Sequence, residues 1–448
     1  MHVRYRARLE NLLGDKLARR FLGDAGIALA LRVTWAVLNY IAVLLLARWM
    51  LPVEYGRFAL VLSILRPASI LAGLGADTSV LRFIGQYRGQ TRSGAIKAVI
   101  TYAIWATSIA SVFVTALLIG AFWTLARFGP VDAPLVYAVG LLLIPFYTIS
   151  GVLGAIARSF GHVILALAPR DVLWRAALIP LGWAAVYLSG TEQQALALLA
   201  GSVICLAMLT ALQYIWMAVK LPEHVCDALP EPDAVEWRRV TKPIWISAIA
   251  VGIIGNADVL IVGAFVDEIA AGRYFAIQRT AMLVTFMQVS ANLIIGPEAA
   301  RLYHANKIGQ LQRLLKLAAT MIFVPSFCAL ALFALFGEPI LSLFGQDFVE
   351  YKSELLILAI GQAVSAAVGC VGILLAMTGH EKFLSRVQVG ATLLALAVIL
   401  VGTWQFGTIG AAVGTALGIS LRNLVVWVYA RRNLPVEASI LSLIARKR

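Results

Sequence analysis

Apolar stretches of membrane-spanning length recur along the whole chain and are separated by short polar turns. About twenty apolar residues in a helix cross the hydrocarbon core of a bilayer, whereas the helices of a soluble domain keep one polar face. The pattern therefore predicts an all-α polytopic membrane protein with roughly twelve transmembrane helices. The predicted spans are 25–47, 58–75, 95–121, 133–155, 172–189, 195–218, 243–265, 274–296, 314–336, 353–376, 384–403 and 408–430.

The stretch from Arg48 to Lys97 has the same order of features as a second stretch 216 positions later. Each stretch consists of a polar turn, an apolar helix and a basic loop, and Gly56-Arg57 in the first corresponds to Gly272-Arg273 in the second. A fixed offset over about forty residues indicates two halves of one fold. Because both copies run in the same direction, we predict parallel repeats related by an axis along the membrane normal.

Prolines and acidic residues concentrate between the two copies, in LPEHVCDALPEPDAVEWRR at 221–239. This composition is typical of a linker on the cytoplasmic face, and a short interfacial helix is expected around Trp237. We predict an N-terminal six-helix lobe over 1–220, a linker over 221–242 and a C-terminal six-helix lobe over 243–448. Basic tails flank the lobes, and the N-terminal tail is either an amphipathic helix on the membrane surface or a segment that only sets topology.

Composition and charge agree with a membrane protein. Hydrophobic residues make up 61% of the chain and charged residues 13%, and the mean hydropathy is +0.87. Of the 37 lysines and arginines, 28 lie in the two tails and alternate loops, and five lie in the other loops. Positive residues mark the cytoplasmic side, so we predict both termini there. The net charge of +14 then reflects orientation and attraction to anionic lipids, not nucleic-acid binding.

Arg32, Arg66 and Arg279 fall inside predicted spans, where a charge that faces lipid would cost several kcal/mol. Asn39 lies seven residues after Arg32 on the same helical face, and Arg66 lies midway along the second span. The repeat offset brings Arg279 within one turn of the position of Arg66. We expect all four side chains to line an internal cavity, although Arg32 is close enough to the cytoplasmic face to extend into water.

Polar residues also line one face of the predicted eighth span. Gln278, Thr285, Gln288 and Asn292 recur at helical spacing, so this face is expected to meet a wet interior. The three amides, those of Gln278, Gln288 and Asn292, are candidates for contact with a polar ligand.

Asp258 lies in the seventh span, and a hairpin turn near residue 269 would place it at the depth of Arg279. At a rise of about 1.5 Å per residue, both lie roughly 15 Å below that turn. We predict that they form an ion pair in one state of the protein. Either the pair permanently stabilises the hairpin, or it opens and leaves Asp258 to bind a proton or a sodium ion as a coupling residue.

Several kinds of chemistry are missing from the sequence. No lysine follows a glycine, so the GK[ST] phosphate loop is absent and ATP hydrolysis by this chain is not expected. His162 has no companion histidine, cysteine or carboxylate cluster, and no metal site or cofactor is predicted. No predicted outer loop gathers the acid and base groups of an enzyme that acts at a lipid–water interface.

Two charged loops have ordinary interpretations. The loop 157–175 contains Arg158, Arg170, Asp171 and Arg175, which favour positive-inside charge with a local Arg–Asp pair over phosphate contact. The acidic residues near the predicted outer end of the ninth and tenth spans indicate a solvated surface; they are Glu338, Asp347, Glu350 and Glu354.

The segments ARWMLPVEYGRFALVLSIL and LGADTSVLRFIGQYR resemble the first-helix-to-second-loop region of the bacterial polysaccharide (O-antigen type) flippases. That family belongs to the multidrug/oligosaccharidyl-lipid/polysaccharide exporter superfamily, and AGRYFAIQRTAMLV resembles the matching part of its C-terminal lobe. The resemblance implies a V-shaped, alternating-access exporter in the bacterial inner membrane, and not an enzyme. Its substrate would be a polyprenyl-diphosphate-linked saccharide, moved from the cytoplasmic to the periplasmic leaflet for surface polysaccharide synthesis.

Under this interpretation Arg32, Arg66 and Arg279 are candidates for the diphosphate, because the planar guanidinium forms paired charge-assisted hydrogen bonds. The amides of the eighth span are candidates for the saccharide. Two alternatives remain open. A cation-coupled multidrug exporter of the same fold would favour cavity carboxylates, whereas a membrane-embedded enzyme of saccharide assembly would turn over a sugar donor.

Overall fold

The computed structural model describes residues 15–128 and 133–440, and every regular element in these ranges is a helix. Eight of the helices are long and apolar enough to cross a membrane. The chain is therefore an all-α polytopic membrane protein, and this prediction is confirmed. The predicted N-terminal surface helix falls partly on residues 1–14, which lie outside the described residues.

The described residues contain eight candidate membrane helices where about twelve spans were predicted, because two predicted spans lie in a single candidate and three others are interrupted. One candidate, Lys382–Asn433, contains both the eleventh and the twelfth predicted span, and the fifth, seventh and eighth are each interrupted within the membrane-length stretch. A π-helical segment, Ala168–Leu173, interrupts the fifth. The helices in chain order are α1 (Asp15–Trp49), α2 (Pro52–Ala72), α3 (Ala76–Gly89), α4 (Ser93–Phe128), α5 (Pro134–Leu141), α6 (Leu143–Ser159), α7 (Val163–Leu167), α8 (Trp174–Leu188), α9 (Gln194–Lys220), α10 (Glu223–Cys226), α11 (Ala234–Ile254), α12 (Ala257–Phe265), α13 (Glu268–Ala281), α14 (Phe286–His304), α15 (Ile308–Ser342), α16 (Lys352–Val368), α17 (Val371–Met377) and α18 (Glu381–Asn433).

Helix α18 is a hairpin of two antiparallel helices that turns at Gly407, where φ is 59°. Its second half packs against its first through small residues: Gly410 lies against Gly402, and Gly414 lies against Ile399. A Cβ on either of the paired glycines would overlap the backbone of the other. Small residues therefore allow the two halves of α18 to pack closely.

By its contacts the chain divides into two compact units. Among the described residues, the first unit contains those up to 42 and those from 68 to 246, and the second contains those from 43 to 67 and those from 247 onward. The end of α1 and most of α2 thus group with the later helices, while the predicted linker groups with the first unit.

The two copies of the repeated Gly-Arg motif meet inside the second unit. Gly56 in α2 lies against the backbone of α13 at Glu268, and a Cβ on Gly272 would lie 2.9 Å from the Cα of Gly56. Arg57 donates to Glu54 at 2.6 Å and to Glu268 at 2.8 Å. The repeated glycines therefore allow the starts of two corresponding helices to touch, which explains their recurrence.

The segment that follows α9 folds back on the start of α4. Lys97 Nζ donates to the carbonyl oxygens of Cys226 and Ala228, and Arg92 pairs with Glu231 at 2.8 Å. Trp237 is 2% exposed and donates to the hydroxyl of Tyr87 at 2.9 Å. The predicted linker is thus fixed to the first unit, and Trp237 is a core residue there, not an interfacial one.

The end of the second unit has the same arrangement. The segment after α18 folds back on the start of α15, where Gln312 exchanges two 2.8 Å hydrogen bonds with the backbone of Glu437. The Glu437 carboxylate also accepts from Trp427 Nε1 at 3.0 Å. In each unit a segment that follows a long helix, α9 or α18, therefore folds back on the start of the corresponding helix, α4 or α15, as expected for a duplicated fold.

Candidate substrate and coupling site

Asp258 lies in the first turn of α12 and is completely buried. Its carboxylate accepts two hydrogen bonds from Gln278 Nε2, at 2.7 and 2.8 Å. It also accepts from Thr415 Oγ1 at 2.9 Å, from the Tyr274 hydroxyl at 3.2 Å and from the backbone N–H of Val259 at 2.9 Å. These donors are all neutral, so they solvate the carboxylate without cancelling its charge.

Arg279 has other partners. Its Nη2 donates to Asn256 Oδ1 at 3.0 Å, and its guanidinium stacks at 4.7 Å over the ring of Phe275, one turn earlier in α13. In the part of the chain that the structure describes, the predicted ion pair between Asp258 and Arg279 does not form, and Gln278 takes that place. The reason is helical geometry, because the residue next to Arg279 is rotated by about 100° and so faces α12.

The three amides of the predicted eighth span differ in how many of their polar atoms already have hydrogen-bond partners. Gln288 donates to the carbonyl oxygens of Ser365 and Gly369 and accepts from the Ser365 hydroxyl, so its amide joins α14 to the end of α16. By contrast, Gln278 Oε1 and Asn292 Oδ1 are buried acceptors with no hydrogen-bond partner in the described residues. The amide oxygens of Gln278 and Asn292 can therefore still accept a hydrogen bond from a polar ligand. Most of the hydrogen-bonding capacity of Gln288 is used in packing.

The predicted cavity residues of the first two helices are more accessible. Arg32 and Asn39 on α1 are half-buried, and Arg66 on α2 is exposed beside Pro67. Arg32 lies within electrostatic range of Arg158 at the end of α6. The structure thus associates Arg32 with the loop 157–175.

Arg170 lies in the π-helical segment of that loop, and the sequence predicted for it only positive-inside charge with a local Arg–Asp pair. Its guanidinium lies 4.7 Å from the centre of the Tyr147 ring, and its Nε donates to Asp171 Oδ1 at 3.2 Å. A Cβ on Gly151 would lie 2.5 Å from Arg170 Nη1, so this glycine makes room for the guanidinium against α6. The local Arg–Asp pair that the sequence predicted is present.

One prediction about the acidic residues between α15 and α16 is wrong. Glu354 is 4% exposed and accepts from Thr408 Oγ1 at 2.7 Å, while its Oε2 is buried with no partner in the described residues. Asp347 is exposed and pairs with Arg273, and Glu350 is exposed as expected. Glu354 differs because it lies in the first turn of α16, on the face that packs against α18.

Comparison with known proteins identifies the family. The sequence model of the polysaccharide biosynthesis protein family matches residues 22–296, well over half of the chain. The chain belongs to this family. Within the curated proteins, 242 residues are 26% identical to the probable low-salt glycan biosynthesis flippase Agl15 of Haloferax volcanii. That match covers 53% of this chain, and the chain spans about half (49%) of the length of the relative.

Two solved structures of membrane transport proteins have a fold similar to that of this chain. The inward-facing conformation of a multidrug resistance MATE family transporter has a TM-score of 0.76 at 16% identity, over 90% of this chain and 97% of that one. The lipid II flippase MurJ in an inward closed conformation has a TM-score of 0.69 at 15% identity, over 94% of this chain and 90% of that one. At these identities the comparisons show a shared fold.

Proposed function

We propose that this protein is an alternating-access flippase. It moves a polyprenyl-diphosphate-linked saccharide from the cytoplasmic to the periplasmic leaflet of a bacterial inner membrane, for surface polysaccharide synthesis. The observation that carries the proposal is the family match over residues 22–296, and the similarity to a probable glycan biosynthesis flippase points the same way.

The distribution of charge supports this class of substrate. A diphosphate headgroup crosses about 30 Å of hydrocarbon only at high cost unless protein groups replace its hydration. Arg279 is held by a neutral amide and an aromatic ring, and Arg32 has Arg158 as a neighbour. A guanidinium group forms paired, charge-assisted hydrogen bonds with phosphate oxygens, which suits both arginines to a diphosphate.

A cation-coupled multidrug exporter is the second candidate, and one observation favours it. Asp258 is a buried carboxylate surrounded by neutral donors, a setting in which a cation or a proton would be stabilised. The same residue serves the first proposal as its coupling site. In that role Asp258 binds a proton or a sodium ion whose movement drives transport.

Reconstituted transport separates these candidates. Purified protein in liposomes should move a fluorescent lipid-linked oligosaccharide between leaflets and should not accumulate cationic dyes. Arg279→Ala should slow this movement by about tenfold or more, the size expected for loss of a hydrogen bond to a charged group. Arg92→Ala, which removes an exposed arginine of the basic loop, is the matched control and should transport normally.

Two results would contradict the flippase function, and a third would contradict only the role of Arg279. Dye accumulation without movement of the oligosaccharide would favour the multidrug exporter. Turnover of a nucleotide-activated sugar by the purified protein would favour an enzyme of saccharide assembly. Normal transport by Arg279→Ala would leave the flippase in place and remove Arg279 from its substrate site.

A further inference from the structure

The first unit contains a cluster of arginines together with two buried hydrogen-bond donors that have no partner within the described residues. Its centre is Tyr147 on α6, whose ring lies under the guanidinium of Arg170 at 4.7 Å and contacts the ring of Trp174 at 5.7 Å. Arg170 belongs to the π-helical segment Ala168–Leu173, and Trp174 is the first residue of α8. Irregular π-turns inside helices often occur at functional sites because they redirect side chains.

Positive charge exceeds negative charge around this group. Arg158 lies within electrostatic range of two other guanidinium groups, those of Arg170 and Arg32. The carboxylates within the same range are those of Asp77 and Asp171. Asp171 already accepts a hydrogen bond from Arg170. The local balance therefore favours an anion over a cation.

Buried donors without partners lie beside these cations. The Thr148 hydroxyl and Trp174 Nε1 are buried, and neither makes a hydrogen bond within the described residues. Leaving a buried donor unpaired costs about 1–3 kcal/mol, so such groups usually meet a ligand or a water molecule. Thr148 follows Tyr147 directly and lies one turn of α6 from Gly151, the glycine that admits the Arg170 guanidinium.

We propose that Arg170, together with Arg158 and Arg32, binds the diphosphate of the lipid-linked substrate in the first unit. This inference rests on the proposed function for the identity of the ligand. A diphosphate offers several oxygens in a compact group, which suits forked guanidinium donors and the unpaired Thr148 and Trp174 donors. Stacking on Tyr147 holds the Arg170 fork in one orientation and lowers the entropy lost on binding.

Binding to a short substrate analogue tests the site directly. Wild-type protein in phosphatidylcholine nanodiscs should bind farnesyl diphosphate, and Arg170→Ala should weaken that binding by about tenfold or more. Arg170→Lys should restore only part of the affinity, because an ammonium group cannot form the paired bonds. Arg92→Ala, an exposed arginine of the same unit that pairs with Glu231, is the control and should bind as wild type does.

A competition experiment distinguishes a diphosphate site from a general site for anionic lipid. Phosphatidylglycerol in the nanodisc should not displace farnesyl diphosphate. Equal competition would show a general site for anionic lipid headgroups and overturn the proposal.

Thermal unfolding reports whether Arg170→Ala is folded. If it is not, the exposed Arg158→Ala takes its place and should also lose affinity. Wild-type affinity in a folded Arg170→Ala, or in Arg158→Ala where that variant takes its place, would also overturn the proposal.

Transport of the lipid-linked oligosaccharide by wild-type protein is measured in parallel. If transport occurs while the substituted arginines leave farnesyl diphosphate binding unchanged, the flippase function stands and this site is wrong. If farnesyl diphosphate binds through Arg170 while no oligosaccharide moves, the site stands and the proposed function is wrong.

Discussion

Individual residues in the membrane part of this protein are distinguished by how their hydrogen bonds are met. Gln288 bonds to the end of α16 through both of its polar atoms and acts as a packing residue, whereas Gln278 holds the Asp258 carboxylate with its amide nitrogen and leaves its oxygen unpaired. Two residues with the same side chain in one predicted span thus have different roles in the two helices that form it. The difference follows from what lies opposite each of them: carbonyl groups and a hydroxyl meet both polar atoms of Gln288, whereas a carboxylate meets only the nitrogen of Gln278.

Asp258→Asn tests the coupling role at this scale. Asparagine keeps the shape of the side chain and can still accept from Thr415 and Tyr274, so folding should be preserved. It cannot bind a proton and attracts sodium weakly, so the transport rate should lose its dependence on pH or on sodium. Transport in liposomes across a range of pH and sodium concentrations is the measurement.

The control for this variant is Glu350→Gln, which removes an exposed carboxylate from the same unit and should keep the wild-type dependence. A fall in the activity of Asp258→Asn with an unchanged dependence on pH and sodium would exclude coupling at this residue. Asp258 would then be only a structural acceptor of the α12–α13–α18 contact.

At the scale of elements, small residues decide which helices touch. Gly56 and Gly272 bring the starts of α2 and α13 together, and Gly402 and Gly410 bring together the two halves of α18. Lipid supplies no hydrophobic force between helices, so association in a membrane depends on such close packing and on interhelical hydrogen bonds. The Asp258–Thr415 bond adds one of these at the contact of α12 with α18.

Gly410→Ala should therefore destabilise the protein by about 1–3 kcal/mol, the usual cost of overpacking a tight contact. The added methyl group would overlap the backbone of Gly402, which has no flexible side chain that can move aside. Gly390→Ala in the same helix is the matched control, because nothing lies within 4 Å of its Cβ position. That control should be neutral or stabilising by up to about 1 kcal/mol.

Thermal unfolding of the two variants in one detergent measures the difference. An equal effect of Gly410→Ala and Gly390→Ala on the unfolding temperature would mean that the hairpin contact is loose. The packing explanation for the glycines of α18 would then fail.

At the scale of the whole molecule, orientation in the membrane follows from charge. The 28-to-5 division of lysines and arginines between alternate loops predicts both termini in the cytoplasm. Single cysteines placed at Glu192 and Asp347 should react with a membrane-impermeant reagent added from outside, whereas those at Gln90 and Lys307 should not. The reverse pattern would invert the topology and the proposed direction of transport.

The sequence by itself determined the class of the protein, the duplication and the family, because hydropathy, a fixed offset and a long contiguous motif are properties of the chain in one dimension. It also located Asp258 and Gln278 on adjacent spans, since charged and polar residues inside an apolar run are visible without a structure.

Only the tertiary structure decided which partners these residues take. Thr415 reaches Asp258 from 157 positions away, and Arg170 lies on Tyr147 because a π-helical segment turns it there. Glu354 is buried although its neighbours in sequence are exposed. Such choices depend on the rotation of each helix about its axis and on contacts between distant segments, and a one-residue change in rotation, about 100°, selects a different partner.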